Sequence, residues 1–202
     1  MLSRQAEWDA KHSSAATQPA EKPAGILTEL WPLLPAGTAL DLACGRGRNA
    51  LFLAEHGRHV TAVDWSAAAL DILEHRAQAL NIPVRRVQRI DEARQLRAGI
   101  DLLLANLESI ALPANRYNLI LCIRYLQRSL FPQICRALRP EGILLFETYT
   151  KAQLDFSGGP RNPAHLLDKG ELRRAFPELE TVFYRALRAE QGIASLAAKK
   201  TR

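Results

Sequence analysis

The chain has few of the features that mark membrane-spanning, secreted or metal-binding proteins. No apolar run in its 202 residues reaches the ~20 residues that a transmembrane helix needs. The N-terminus is polar and lacks the apolar segment of a signal peptide. The three cysteines are an odd number without metal-site spacing, and free thiols suit a reducing compartment. We therefore expect a cytoplasmic protein with no bound metal and no membrane partner.

The composition is that of an ordinary globular protein, with 48% hydrophobic and 24% charged residues. Its length suits one α/β domain. The net charge of +6, which comes mainly from arginine, is compatible with an anionic partner such as RNA or with solubility alone. Because neither a basic tail nor an RNA-binding module accompanies it, nucleic acid is a possible but not a favoured partner.

The order of predicted elements indicates a mainly parallel sheet covered by helices on both faces. Residues 1–24 form a separate N-terminal segment with a possible helix at Ser3–His12, and residues 25–202 form the domain. An antiparallel pair closes the chain. Strands are predicted at Thr38–Leu42, His59–Val63, Ile100–Leu104, Tyr117–Ile123, Ile143–Glu147, Thr181–Leu187 and Ile193–Lys199.

Residues 82–98 fit two structures. Apolar residues from Val84 to Leu96 recur every three positions, and five arginines lie mostly elsewhere, which favours an inserted helix. A strand at Val84–Gln88 is the alternative. We predict the helix, because Ile100–Leu104 makes the better buried strand. Its arginines would either dock RNA or an acidic protein, or simply form a solvated face.

The most informative segment is a glycine-rich turn between the first strand and the helix that follows it. It contains Asp41, Gly45 and Gly47, and Asp64 ends the next strand 19 residues after Gly45. Ligands of open α/β sheets bind at this edge, where glycines allow close approach of the backbone. A carboxylate in the position of Asp64 suits the two hydroxyls of a ribose.

Two classes of cofactor could bind at this glycine-rich turn and the acid that follows it. Gly45, Gly47 and Ala50 also fit the dinucleotide fingerprint, which would make the chain an NAD(P)-dependent oxidoreductase. Asp41 discriminates between them, because a carboxylate near a diphosphate would be repulsive. S-adenosylmethionine (SAM) has no phosphate and carries an ammonium and a sulfonium, which suit a nearby carboxylate. The residues therefore favour SAM.

The segments DLACGRGRNALFLAEHG and HVTAVDWS resemble motif I and the following acidic motif of class I SAM-dependent methyltransferases. The chain is most similar to the small bacterial branch that includes the tellurite-resistance methyltransferases, over roughly residues 25–200. This resemblance implies a Rossmann-like seven-stranded sheet of order 3-2-1-4-5-7-6 with strand seven antiparallel, and SAM as cofactor.

The resemblance also implies roles for individual residues. The methionine part of SAM would contact Asp41, Ala43, Gly45 and Gly47, with Arg48 near its carboxylate. Asp64 would hold the ribose, and Trp65 would pack against adenine or simply at the strand end. The remaining residues of the predicted cofactor site are Cys44, Asn49, Asn106, Leu107 and Cys122.

Asn106 departs from the family pattern, which has an acidic residue after strand three to bind the adenine amino group. An asparagine carbonyl can also accept from that amino group. Asn106 lies 42 residues after Asp64, a long gap that the inserted segment would explain. The departure also favours a third possibility, a SAM-binding module without turnover.

Candidates for acceptor binding lie after strands four and five. Arg124, Tyr125 and Arg128 follow strand four, while Cys122 is expected to be a packed strand residue. In the later loop, Arg161 could bind an anion and His165 could accept a proton. The sequence is equally compatible with a solvent-exposed loop that has no role in binding.

We expect a methyltransferase that acts on a small, soft or anionic acceptor, because such a nucleophile needs no strong general base. An RNA or protein methyltransferase is the nearest alternative. Trp8, Asp9 and His12 lie where similar enzymes often have a WD-type segment that folds over the cofactor, so residues 1–20 are a predicted lid. The sequence is compatible with a monomer or a homodimer.

Overall fold

The computed structural model describes residues 4–14, 22–92 and 98–201. Short 3-10 turns join several of the elements. Within the described ranges, no helix combines the length and the apolar character that crossing a bilayer would require. The α-helices are α1 (Arg4–Ser14), α2 (Gly25–Glu29), α3 (Arg48–Glu55), α4 (Ala67–Ala79), α5 (Phe131–Ala137) and α6 (Glu171–Arg174).

One eight-stranded sheet forms the centre of the molecule, with order β3-β4-β2-β1-β5-β6-β8-β7. All pairs are parallel except the two that β8 makes, with β6 and with β7. The predicted Rossmann-like topology is therefore confirmed, with one more strand than expected at the edge beyond β4. The strands are β1 (Thr38–Leu42), β2 (His59–Asp64), β3 (Val84–Val87), β4 (Gly99–Leu104), β5 (Tyr117–Ile123), β6 (Leu138–Tyr149), β7 (Leu179–Arg188) and β8 (Gly192–Lys200).

Apolar layers cover both faces of the sheet, as near-continuous apolar strands require. Helices α2, α3 and α4 pack Leu27, Leu53 and Leu73 on one face. Helices α5 and α6 pack Ile134 and Leu172 on the other. Because β1 to β7 all run in the same direction, their carboxyl ends lie at one edge of the sheet, which we call the carboxyl edge.

The predicted helix over residues 82–98 is wrong, and the strand alternative is correct. Val84–Val87 forms β3, which pairs in parallel with β4. Val84 packs on one apolar layer and Val87 on the other. Residues three apart point to opposite faces of a strand, so a three-residue apolar spacing suits an edge strand between two layers. Residues 93–97, with Arg94 and Arg97, lie outside the described residues.

The arginines of this segment that the structure describes are paired within the chain. Arg85 donates to Asp101 at 2.6 Å, and His59 lies 2.9 Å from the same buried carboxylate. Arg86 pairs with Asp71 and Glu74, and Arg89 pairs with Asp91. Burial acts to raise the pKa of Asp101, but the hydrogen bonds from His59 and Arg85 outweigh it and lower that pKa. Arg85 joins β3 to β4 and Arg86 joins it to α4, while Arg89 pairs locally, and this pairing weakens the case for an RNA-docking face.

Candidate active site

The glycine-rich turn lies at the carboxyl edge, between β1 and α3. Ala43, Gly45 and Gly47 all have positive φ, of 56°, 54° and 80°. A non-glycine residue in this region is strained, and such strain concentrates at functional sites. A Cβ on Gly47 would lie 2.1 Å from a methyl carbon of Leu73. The turn therefore requires glycine at position 47 both for its φ and for the contact with α4.

Asp64 connects this turn to the beginning of α4. Its Oδ2 accepts from the Gly45 amide at 2.7 Å, and its Oδ1 accepts from the Ser66 amide at 2.9 Å. Ser66 caps α4 by accepting from the Ala69 amide, as its sequence position predicts. Each carboxylate oxygen retains a second lone pair for a ribose hydroxyl. Trp65, between these residues, is half-buried.

Asp41 is buried beneath the turn, at the carboxyl end of β1. Its Oδ2 has no hydrogen-bond partner among the described residues, and the Ala50 amide is bonded to the carboxyl group. Burial raises the pKa of Asp41 to about 7, and the Asp64 charge adds to the rise, while Arg48 opposes it. A buried carboxyl with an unpartnered oxygen fits a positively charged ligand above it, such as the methionine part of SAM.

Two other residues of the predicted cofactor site have structural contacts. Asn49 accepts from the Ala24 amide at 2.9 Å, which ties α3 to the segment before α2. Cys44 is buried, and its burial raises the pKa of the thiol well above the ordinary value. Both lie in the turn or its helix, where they fix the backbone that a cofactor would contact.

Helix α1 packs beside the turn and against α4. Asp9 Oδ1 accepts from the Ser66 hydroxyl at 2.6 Å and from the Ala68 amide at 3.2 Å. The His12 ring lies near Gly45, within 3.6 Å of where a Cβ would be. Burial lowers the pKa of His12, partly offset by the charge of Asp64. The predicted N-terminal residues are thus beside the predicted cofactor turn.

Asn106 follows β4, at the place where the adenine end of the cofactor is expected. Its Oδ1 accepts from the Glu108 amide at 2.9 Å and closes a local turn. The side-chain NH₂ of Asn106 takes no part in this hydrogen bond. Leu107 is buried, whereas Leu104 at the end of β4 is 46% exposed. An exposed leucine beside Asp64 provides an apolar surface for a purine ring.

Arg124 stands at the end of β5 in the strained left-handed region, with φ 62°. Its guanidinium lies over the Tyr149 ring at 4.6 Å and donates to Gln191 at 2.7 Å. The buried Glu147 lies 3.8 Å from Arg124 and accepts from the Ser195 hydroxyl at 2.8 Å. Glu147 was not among the predicted residues, although a glutamate inside the apolar run of β6 is a usable signal.

The other acceptor candidates are placed less centrally. Cys122 is 1% exposed and burial raises its pKa, so it is a packed strand residue, as expected. Tyr125 is half-buried in the apolar layer next to it. Arg128 binds Glu171 through two bonds and donates to the carbonyls of Ala164 and Leu166, which fastens the later loop.

Arg161 and His165 lie in that later loop, and both are exposed. Arg161 donates to the Leu154 carbonyl at 2.9 Å. His165 ends a short 3-10 turn whose first residue follows Asn162, the cap of the turn. The described contacts place neither side chain beside the glycine-rich turn.

The chain is similar to known methyltransferases. The family described as "Methyltransferase domain" matches residues 40–146, just over half of the chain. A ubiquinone biosynthesis O-methyltransferase of Coxiella burnetii is 30% identical over 139 residues, covering 65% of this chain and 53% of the relative. The putative methyltransferase YqeM of Bacillus subtilis is 27% identical, covering 58% of this chain and 44% of the relative. The chain thus spans about half the length of these curated relatives.

Solved structures show the same fold. TehB from Haemophilus influenzae superposes with a TM-score of 0.70 at 18% identity, covering 96% of this chain and 67% of TehB. The matched family segment contains the glycine-rich turn, Asp64 and the end of β5. This chain therefore belongs to the methyltransferase domain family, and it has the fold of TehB.

Proposed function

We propose that this protein transfers the methyl group of SAM to a small acceptor that is soft or anionic. The observation that carries the proposal is the arrangement of Asp64, Gly45 and Asp41. Asp64, at the end of β2, accepts a hydrogen bond from the Gly45 amide. Asp41, at the end of β1, has a buried carboxyl oxygen with no hydrogen-bond partner among the described residues. Together they suit a ligand with a ribose at one end and positive charge at the other.

The proposed cofactor site extends along the carboxyl edge from β4 to β1. Asp64 would hold the ribose, and Trp65, Leu104 and Asn106 would surround the adenine. Because the Asn106 carbonyl already accepts from Glu108, its NH₂ group would donate to a ring nitrogen. Ala43, Gly45, Gly47 and Arg48 would contact the methionine part, with the Asp41 carboxylate balancing its charge.

Bound SAM supplies an electrophilic methyl group on a sulfonium that leaves as a neutral thioether. An acceptor that binds already ionised has no proton to lose, so the chain would need no strong general base. The protein's task is to hold the two reactants in line. Arg124 would attract an anionic acceptor to the end of β5, where Glu147, Gln191 and Tyr149 fix its guanidinium.

An ionised oxygen is one acceptor of the proposed class. The Coxiella burnetii relative is named as an O-methyltransferase, which is compatible with such an acceptor. We retain an RNA or protein acceptor as the alternative, but three of the five arginines that favoured it, Arg85, Arg86 and Arg89, lie in the described part of the chain and are paired there. The proposal therefore stays with a small molecule.

Turnover tests the proposal directly. We expect the protein to form S-adenosylhomocysteine from SAM with at least one member of a panel of small thiols, phenols and carboxylates. Asp64→Ala should lose this activity, and Asp71→Ala, an exposed aspartate on α4, should keep it. If SAM binds but no panel member and no RNA or protein fraction is methylated, the chain is a binding module without turnover.

A further inference from the structure

A second candidate site, apart from the glycine-rich turn, lies at the far end of the carboxyl edge. It is a groove of about 880 Å³ between the end of β7, the 3-10 turn Lys151–Asp155 and the beginning of α6. This volume is within the range of small-molecule sites in proteins. Strands β5, β6 and β8 separate β7 from β1, a distance of about 19 Å at ordinary strand spacing. The groove is thus distinct from the glycine-rich turn, and we call it the β7 groove.

The floor of the β7 groove is apolar. Tyr184, Ala186 and Leu187 of β7 line it from the sheet, and Ala152 lines it from the 3-10 turn. Leu187 is 40% exposed, although a buried position is the usual one for leucine on a strand. An apolar surface left open beside a concave space favours binding of an apolar group.

The rim of the β7 groove carries only positive charge. Five of the lining residues are cationic and none is acidic: Lys151, Lys169, Arg173, Arg174 and Arg188. Lys151 pairs with Asp168 and Arg188 with Asp155, both outside the lining.

The other three cations form no ion pair among the described residues, although the charge of Arg174 helps to lower the pKa of Asp168. Arg174 donates to the Lys169 carbonyl at 3.2 Å. In the part of the chain that the structure describes, the side chains of Lys169 and Arg173 make no ion pair. Three cations around one cavity without paired acids create a local positive potential that attracts an anion.

We propose that the β7 groove binds an amphipathic anion, with a phosphate-type head group at Lys169 and Arg173 and an apolar chain over Leu187. Both halves of the ligand are needed, because the cations lie on the rim and the apolar side chains on the floor. A polynucleotide fits less well, since the cations lie around one groove rather than following a stripe along the surface. The proposal does not depend on methyl transfer.

Isothermal titration calorimetry with dodecyl phosphate, below its micelle concentration, tests the β7 groove on the full-length protein. Arg173→Glu should weaken binding about tenfold, since a charge-assisted bond is replaced by repulsion. The matched control is Arg136→Glu, which makes the same charge change on the exposed surface of α5. Leu187→Ser should weaken dodecyl phosphate binding as well, and inorganic phosphate alone should bind at least about tenfold more weakly.

Two results would overturn the proposal. One is equal affinity of the Arg173→Glu and Arg136→Glu proteins for dodecyl phosphate, which would show attraction by net charge alone. The other is equal affinity of the natural protein for inorganic phosphate and dodecyl phosphate, which would show that the apolar floor takes no part. Because SAM is absent from the assay, neither result bears on the proposed methyl transfer.

Discussion

At the scale of single residues, Asp41 has the most unusual environment at the carboxyl edge. It is buried, one of its oxygens is unpartnered, and burial raises its pKa to about 7. In the free protein its carboxyl is therefore largely protonated below that pH. A cationic ligand nearby favours the ionised form, so ligand binding and ionisation of Asp41 are linked.

This linkage predicts that SAM binds more tightly as the pH rises towards 7. The association constant should increase about tenfold per pH unit below that value and level off above it. Calorimetry from about pH 5.5 to about pH 8.5 would measure this dependence. Asp41→Asn retains any titration that belongs to SAM itself and is the control. If the two proteins share one pH profile, Asp41 does not ionise on binding.

Gly47 and Gly57 form a matched pair of left-handed glycines, with φ of 80° and 79°. A Cβ at position 57 meets nothing within 4 Å, whereas at position 47 it overlaps Leu73. Both alanine substitutions should lose about 1 kcal/mol to backbone strain. Gly47→Ala should lose about 1–3 kcal/mol more to overpacking. Urea unfolding measures the difference, and equal losses would mean that the Leu73 side chain moves aside without cost.

The sequence predicted which residues meet at the carboxyl edge better than it predicted their hydrogen bonds. Asp64, Gly45 and Gly47 lie together because the carboxyl ends of adjacent parallel strands meet at one edge. The engagement of the Asn106 carbonyl by Glu108 was not predictable, because it depends on the local path of the chain. The contact between Arg124 and Glu147 joins residues from two strands and likewise needs the fold.

At the scale of elements, β3 shows where periodicity misleads. Val84 and Val87 are three apart, as on one face of a helix, yet they pack on opposite faces of the sheet. Parallel pairing with β4 and the hydrogen bond from Arg85 to Asp101 make this segment a strand. Both contacts join residues that are not neighbours in the sequence, so periodicity alone does not reveal them. The seven other strands were predictable, because their apolar runs are long and turn residues bound them.

Helix α1 is the element that we propose as a lid over the cofactor. Its Asp9 bonds to the beginning of α4, and its His12 lies next to Gly45. Because a docked α1 would exclude water from the turn, deletion of residues 1–20 should raise the SAM dissociation constant.

A single substitution separates docking of α1 from other effects of the deletion. Asp9→Ala should raise the SAM dissociation constant about fivefold, since a cap of this kind contributes about 1 kcal/mol. Glu7→Ala, an exposed residue of the same helix, is the control and should bind SAM like the natural protein. Unchanged affinity in both the deletion and Asp9→Ala would contradict a lid role.

At the scale of the whole molecule, one sheet edge carries two separate candidate binding sites. The glycine-rich turn lies at its centre, where the strand order reverses between β1 and β5, which is the usual ligand position in open α/β sheets. The β7 groove lies at the end, where the antiparallel β8 brings β7 parallel to the central strands. The central claim is that the first of these sites binds SAM through Asp64.

Calorimetric titration of the protein with SAM, S-adenosylhomocysteine and NADH tests that claim most directly. We predict that both adenosyl ligands bind and NADH does not. Asp64→Ala should weaken SAM binding roughly tenfold to hundredfold, because charge-assisted bonds to the ribose and to the Gly45 turn are lost. Asp71→Ala should bind like the natural protein. Binding of NADH alone, or SAM affinity that is equal in the Asp64→Ala and Asp71→Ala proteins, would contradict the account.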